Sequence, residues 1–142
     1  MSTETSERLA RRFFDELCNG RRLEVADEII APDQVYHDPQ SPPSEPGPEG
    51  VKATVRIYQE TLDGHWNVHE IIATGDRAVT RWTGTGVHQA DLMGIPATGR
   101  PISVDAISVM RIENGRIAEH WCTWDTLGLL QQIGAVPAPA PA

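Results

Sequence analysis

Residues 102–124 read ISVDAISVMRIENGRIAEHWCTW, with an alternating apolar run on either side of Asn114-Gly115. Asn-Gly between two such runs is the strongest short-range signal for a β-hairpin that turns through two residues. The stretch therefore predicts antiparallel strands at 102–112 and 116–124. A sheet that contains them decides the fold, because the rest of the chain must cover its apolar faces.

A two-residue turn also predicts which hairpin residues share a face, because it places Ile112 opposite Ile117. Side chains on one face become smaller toward Asp125, so we expect a cavity there. That face contains Met110, Ser108, Trp121 and Asp125. The opposite face contains Val109, His120, Ile107, Cys122 and Trp124. It is largely apolar too, which predicts a subunit interface on it.

The preceding residues predict helices first and strands afterwards. Leu9, Phe13 and Leu17 recur every four residues, which is typical of an amphipathic helix, and this one should run from about Ser6 to Asn19-Gly20. Further helices are predicted at 23–30, after Pro48 and at 127–133, and further strands at 35–37, 66–73 and 77–88. Five prolines between Pro39 and Pro48 indicate a loop.

This order of elements predicts an α+β fold in which a curved antiparallel sheet wraps around the N-terminal helices. Such a sheet encloses a cone-shaped cavity. We expect one domain at 1–134, and a disordered tail at 135–142, where alternating proline and alanine have nothing to bury.

The composition excludes several classes of partner. The 142 residues include 12 basic and 20 acidic side chains, a net charge of −8, without a long Lys/Arg cluster, which argues against nucleic acid. No run approaches the ~18 apolar residues of a membrane span, so we expect a cytoplasmic protein. Cys18 and Cys122 lack a CxxC or Cys/His spacing, which predicts free thiols.

Other motifs have simple structural explanations. His65 and His69 imitate a helical metal-binding pair, but in a strand they would lie ~13 Å apart and could not chelate one ion. His120 and Cys122 are predicted to face away from Asp125, which favours packing over a nucleophile pair. His37-Asp38-Pro39 favours an Asx turn over a pocket imidazole. No metal site is predicted.

Asp125 has two compatible roles at this point. An aspartate just before a helical stretch is a common N-cap. The same carboxylate, if it points into an apolar cavity beside Trp121, would have a raised proton affinity and could act as a general base.

Four segments in the second half of the chain carry a family signature. They are RWTGTGVH at 81–88, MGIPATGR at 93–100, RIENGRIAEHW at 111–121 and WDTLGLLQQIG at 124–134. They closely resemble the SnoaL-like polyketide cyclases, also called ester cyclases, and Tyr36-His37-Asp38-Pro39 agrees more weakly. The resemblance covers about half of the chain, 77–134.

The resemblance implies a nuclear transport factor 2-like fold and a role in antibiotic biosynthesis. Cyclases of this family close the last ring of aromatic polyketides by an intramolecular aldol condensation of a methyl ester. They use an aspartate at the position of Asp125 as acid/base, and neither metal nor organic cofactor. Cyclase-branch members can carry a histidine near the position of Met110, so the methionine departs from that pattern.

We therefore expect a cofactor-independent cyclase that acts on an apolar, carbonyl-rich small molecule, with Asp125 as its catalytic acid/base. The predicted substrate-binding residues are His37, Arg81, His88, Trp121, Met110, Ser108 and Tyr36. Of these, His37, Arg81 and His88 would stabilise developing oxygen charge.

Two other functions stay open. The same cavity could serve a cofactor-free hydration, isomerisation or hydroxylation, since one fold hosts many reactions. A non-catalytic binding or assembly module is the third possibility. In each case we expect a homodimer or homotetramer through the outer sheet face.

Overall fold

The computed structural model describes residues 2–41 and 43–139. It confirms the predicted α+β fold. The helices are α1 Thr3–Arg12, α2 Ala26–Ile29, α3 Pro48–Leu62 and α4 Thr126–Gln132, with a π-helical turn at Phe13–Asn19 and a 3₁₀ turn at Leu23–Val25. The strands are β1 Ile30–His37, β2 His65–Thr74, β3 Arg77–Val87, β4 Pro101–Glu113 and β5 Arg116–Trp124. No helix in this part of the chain is long and apolar enough to cross a membrane.

The five strands form one sheet in the order β1-β5-β4-β3-β2. All neighbours are antiparallel except β1 and β5, which run parallel. The predicted helix at 23–30 was wrong at its end, because Ile30 already pairs with Ile117 as the first residue of β1. The chain thus leaves the helical layer earlier than its apolar pattern predicts, and β1 brings Tyr36 beside β5.

The first helix begins earlier than predicted and changes its winding. Ser2 caps it by accepting a hydrogen bond from the Thr5 amide at 3.0 Å. After Arg12 the helix continues as the π-helical turn, in which four of the seven residues are buried. Leu9, Phe14 and Leu17 pack against the inner face of the sheet together with Met110 and Ile117.

The β4–β5 hairpin turns at Asn114-Gly115, as predicted, with positive φ angles of 51° and 73° that suit this dipeptide. The strand pairing predicted from a two-residue turn is observed only for the pairs next to the turn. Ile112 lies opposite Ile117, but Arg111 lies opposite Glu119, so Ala118 is an extra, bulged residue in β5. A shift of one residue turns every later side chain to the other face of the sheet.

The predicted division of β5 between the two faces was therefore wrong beyond Ala118. His120, Cys122 and Trp124 lie on the inner face, opposite Met110, Ser108 and Ala106. Trp121, Thr123 and Asp125 lie on the outer side. The face of Met110 and Ser108 is still the cavity side, as predicted, but the bulge exchanges the β5 residues that lie on it.

A second apolar cluster closes one end of the cone. It consists of Leu62, Leu92, Ile102, Val104, Leu129 and Ile133. The connection between β3 and β4 and helix α4 contribute to it. Of the predicted loop and tail, Pro42 and residues 140–142 lie outside the described residues, and 135–139 contain no helix or strand. Disorder of the tail stays a prediction.

Candidate functional site

A cavity of about 90 Å³ lies between the inner face of the sheet and the helices. Its walls are mostly aromatic and aliphatic. The aromatic lining residues are Phe13, Phe14, Tyr36, Tyr58, Trp66, Trp82 and Trp124. The polar groups with acid/base or hydrogen-bonding chemistry include Asp38, Ser108, His120 and Cys122. An apolar pocket with a few convergent polar groups is typical of a small-molecule site.

Asp38 is the carboxylate of this cavity. Its Oδ2 accepts hydrogen bonds from the Tyr36 hydroxyl at 3.1 Å, the Ser41 hydroxyl at 2.8 Å and the Trp124 indole N–H at 3.0 Å. Its Oδ1 accepts one bond, from the Gln40 amide at 2.9 Å. The three donors to Oδ2 fix the orientation of the carboxylate, and Oδ1 keeps a free lone pair for a ligand.

The hydrogen-bond network continues from Asp38 to helix α3. The Ser41 hydroxyl lies 3.0 Å from the Tyr58 hydroxyl. Because Ser41 donates its only proton to Asp38, Tyr58 must be the donor to Ser41. Burial raises the pKa of Tyr36 and of Tyr58, so both phenols stay protonated and can donate. Every hydroxyl in this network therefore donates its proton toward the Asp38 carboxylate.

His120 lies deeper in the cavity and is only 4% exposed. Its ring meets Tyr36 edge-on at 4.9 Å and Phe13 at 5.4 Å between ring centroids. Its Nε2 is buried and has no hydrogen-bond partner among the described residues. Burial lowers the pKa of His120 to about 3, so the imidazole is neutral at physiological pH. A neutral imidazole can donate a hydrogen bond to an oxygen that becomes negative.

Cys122 also lines the cavity, but it is not an activated nucleophile. Burial raises its pKa to about 11, and a protonated thiol is a poor nucleophile. Burial raises the pKa of Cys18 as well. Both cysteines are free, as predicted. In residues 2–41 and 43–139 no group of three or more His, Cys, Asp or Glu side chains could hold a metal ion.

Comparison with known proteins assigns this chain to a family. The family model of SnoaL-like polyketide cyclases matches residues 8–133. The chain belongs to the SnoaL-like polyketide cyclase family. Aklanonic acid methyl ester cyclase DnrD of Streptomyces peucetius is 31% identical over 147 residues, which cover 99% of this chain and 97% of DnrD. The cyclase of the same name DauD, from Streptomyces sp. (strain C5), is 30% identical and covers 94% of this chain, with 83% of DauD matched.

Two solved structures have the same fold as this chain. TsrD from Streptomyces laurentii superimposes with a TM-score of 0.83 at 31% identity, covering 96% of this chain and 99% of TsrD. IdmH from Streptomyces antibioticus gives a TM-score of 0.75 at 33% identity, covering 91% of this chain and 98% of IdmH. The nuclear transport factor 2-like architecture of the SnoaL-like cyclases is therefore the architecture of this chain.

Asp125 does not occupy the cavity of this SnoaL-like protein. It is exposed, and its Oδ1 accepts a hydrogen bond from the Gly128 amide at 2.8 Å as the N-cap of α4. The prediction that Asp125 points into the cavity was wrong, because the bulge at Ala118 shifts the register of β5. The alternative role as a helix cap is confirmed.

Three other predicted site residues also lie on the outer face of the sheet. His37 Nε2 lies 2.7 Å from Glu119 Oε2, and its ring stacks on Trp121. Arg81 pairs through Nε with Glu70 Oε1 at 2.9 Å. The prediction that Trp121 faces the cavity was wrong, and His37 and Arg81, which were predicted to bind substrate, do not line the cavity either. Trp121 follows the shifted register of β5, and His37 pairs with it in the parallel β1–β5 ladder.

His88 is buried, but at a different place. It follows the end of β3, and its Nδ1 accepts a hydrogen bond from the Thr98 amide at 3.3 Å. It was predicted to bind substrate, but it does not belong to the cavity lining. The alternation of β3 ends at Val87, and the connection to β4 encloses His88 instead.

Tyr36 and Ser108 do line the cavity. The Ser108 hydroxyl accepts a hydrogen bond from the Trp82 indole at 3.1 Å, which fixes one aromatic wall. Met110 lies on the same inner face opposite His120, but it is fully buried and does not reach the cavity surface. Contact of Tyr36, Ser108 and Met110 with a substrate stays a prediction.

Sequence reasoning missed the roles of Asp38, Tyr58, His120 and Trp124. The predicted Asx turn at Asp38 is confirmed by the bond from the Gln40 amide to Oδ1. The three bonds to the second oxygen, Oδ2, were not predicted: Tyr36 and Ser41 lie near Asp38 in sequence, but the Trp124 indole comes from β5, 86 positions away. His120 was assigned to the outer face because the bulge carries no recognisable signal.

Proposed function

We propose that the protein is a cofactor-independent cyclase that closes a ring in a polyketide-like ester by intramolecular aldol chemistry. The observation that carries this proposal is a fixed carboxylate, Asp38, and a neutral imidazole, His120, in one aromatic cavity. The family and the two related aklanonic acid methyl ester cyclases support an apolar, carbonyl-rich substrate. The same relatives favour a place in antibiotic biosynthesis.

In the proposed reaction, Asp38 Oδ1 takes the proton from a substrate carbon that lies between two activating carbonyl groups. The electron pair of the broken C–H bond forms an enolate delocalised over the substrate. The same carbon then attacks a ketone of the folded chain, and the new alkoxide takes the proton back from Asp38. The substrate and product have the same formula. The protein mainly has to hold the chain so that the carbanion and the carbonyl meet.

His120 has the complementary role in this proposal. Negative charge develops first on the enolate oxygen and then on the alkoxide. A neutral imidazole N–H in a dry cavity can stabilise that oxygen without the cost of burying a cation. Tyr36 joins the two groups, because its hydroxyl bonds Asp38 while its ring contacts His120.

Incubation with aklanonic acid methyl ester, the compound in the names of two relatives, is the direct test. We expect a product of unchanged mass with one additional ring, formed faster than in a protein-free control and equally well with a chelator present. Mass spectrometry and NMR would identify it. A product heavier by water or by one oxygen would indicate a hydratase or a hydroxylase instead. Saturable binding without conversion would indicate a non-catalytic module.

We also propose that two copies associate through the outer face of the sheet, in the cytoplasm. Cys122 and Trp124 were wrongly predicted to belong to this face, but Ile107 lies on it and is 50% exposed. Ile72, 59% exposed, and Val35, 46% exposed, add to the apolar area. Exposed apolar patches of this kind mark association.

The association test is a charge placed on the outer face. Wild-type protein is expected to elute with about twice the chain mass of 15.6 kDa in size-exclusion chromatography with light scattering. The Ile107→Glu variant should be monomeric at micromolar concentration, because a buried unpaired carboxylate would be costly. Ile57→Glu is the control, since Ile57 is equally apolar and exposed but lies on α3. A monomeric wild type contradicts the proposal.

A further inference from the structure

The helical wall of the cavity is formed by a turn of unusual winding. In the π-helical turn Phe13–Asn19, residues four and five positions apart return to the same side, because the hydrogen bonds run from i to i+5. Phe13, Leu17 and Cys18 can therefore all face the core together with Phe14, and all four are buried. Single π turns inside helices are rare and occur frequently at functional sites.

Side-chain hydrogen bonds fix the C-terminal end of this turn. The Asn19 amide pairs with both backbone groups of Trp66, donating to its carbonyl and accepting from its N–H, each at 2.7 Å. Gln59 donates to the Cys18 carbonyl at 2.9 Å, and Arg21 donates to it at 3.1 Å. The unusual winding is thus tied to β2 and α3 and is a built feature of the site.

The two phenylalanines fill the space between this turn and the sheet. Phe13 contacts His120, and the Phe14 ring lies 5.8 Å from that of Trp82. The remaining cavity is about 90 Å³. An engineered cavity that holds benzene has a volume of about 150 Å³, and ligand pockets usually measure about 300–1,000 Å³. The cavity is thus small for a multi-ring substrate, and outward movement of one wall would enlarge it.

The sheet is the less suitable wall to move, because its residues are fixed by continuous hydrogen-bond ladders on both sides. A π turn differs from an α turn only by the shift of its hydrogen bonds to the neighbouring carbonyl. Such a shift would displace Phe13 and Phe14 relative to Trp66, where the turn is anchored.

We propose that the π-helical turn Phe13–Asn19 is the adjustable wall of the cavity, and that Phe13 and Phe14 on it determine the size of the ring system that the cavity accepts. This inference rests on the proposed function in that the substrate binds in this cavity. Asn19 is a positioning residue, which acts through its two bonds to Trp66.

Binding of planar probes of different size tests the proposal without turnover. The probes are a hydroxylated naphthoquinone with two rings and a hydroxylated anthraquinone with three, measured by calorimetry. We expect the ratio of their Kd values to shift by about tenfold toward the larger probe in Phe13→Leu and Phe14→Leu, because a pocket discriminates by about that factor per missing methylene or more. Leu17→Val is the matched control: Leu17 is fully buried in the same turn but does not line the cavity, so the ratio should stay unchanged.

A second variant tests the wall without altering its phenylalanines. Asn19→Ala is expected to speed hydrogen exchange at amides 13–19 and to shift the probe ratio in the same direction. An unchanged ratio in Phe13→Leu, Phe14→Leu and Asn19→Ala overturns the inference, as does the absence of probe binding to every protein. If the ratio shifts but aklanonic acid methyl ester is not cyclised, the inference stands and the proposed function fails. If cyclisation occurs and the ratio is unmoved, the inference alone fails.

Discussion

The Asp38→Asn variant is expected to lose turnover by about 10²–10⁴-fold, the usual contribution of a general acid/base. The amide keeps the shape of the side chain but cannot accept a proton from carbon. Asp125→Asn should retain full turnover, because Asp125 is exposed and its carboxylate only caps α4. The measurement is kcat and KM for ring closure in both variants. A loss in kcat with little change in KM would indicate a role in the chemical step.

Folding must be measured in parallel, because the two substitutions affect the structure differently. Asparagine is as good an N-cap as aspartate, so Asp125→Asn should unfold at nearly the same temperature as wild type. In Asp38→Asn, an amide NH₂ turned toward Tyr36 and Trp124 would leave both donors without an acceptor, at a cost of about 1–3 kcal/mol. Thermal unfolding shows whether the variant is still native at assay temperature. If Asp125→Asn is inactive and a folded Asp38→Asn is active, the assignment from the structure is wrong and the resemblance gave the correct residue.

The contrast between Asp38 and Asp125 shows what local sequence can predict. The turn at Asn114-Gly115 was predictable because both residues adopt positive φ, which this dipeptide tolerates. The bulge was not, because Ala118 has the same small apolar character in either register. One unpaired residue then reversed the faces for all of β5 that follows, although strand limits and topology were correctly anticipated for β4 and β5.

The residues of the candidate site could not be predicted from the sequence for a different reason. Asp38 Oδ2 and Trp124 Nε1 meet across 86 positions of sequence, and the Ser41–Tyr58 bond joins a loop to a helix. Such contacts depend on how the elements pack, and no periodicity of one element encodes them. The family signature was readable because it is contiguous in the second half of the chain. It predicted the fold and the family, whereas the cavity chemistry depends on the parallel pairing of β1 with β5.

Acid is expected to destabilise the folded protein through His120. The folded pKa of about 3 lies below the usual His value of 6.5. Above pH 6.5 the imidazole is neutral in both states and contributes nothing to the pH dependence. Below that pH the unfolded chain takes up the proton and the folded chain does not. The free energy of unfolding therefore falls with pH, approaching about 1.4 kcal/mol per unit, and the loss ends near the folded pKa.

Urea unfolding between pH 7 and pH 4.5 would measure this contribution as a difference between two proteins. Wild type should lose about 2 kcal/mol more than His120→Gln over that interval, because the variant has no proton to gain at this position. Carboxylates titrate in both proteins, so their contribution cancels in the difference. His120→Phe is a second variant, which keeps an aromatic ring against Phe13 and Tyr36. Its free energy of unfolding should also fall less than that of wild type as the pH is lowered. If the free energy of unfolding depends on pH in the same way in all three proteins, the imidazole takes up its proton in the folded state as readily as in the unfolded state. The neutral hydrogen-bond donor that we assign to ring closure would then be lost at acid pH.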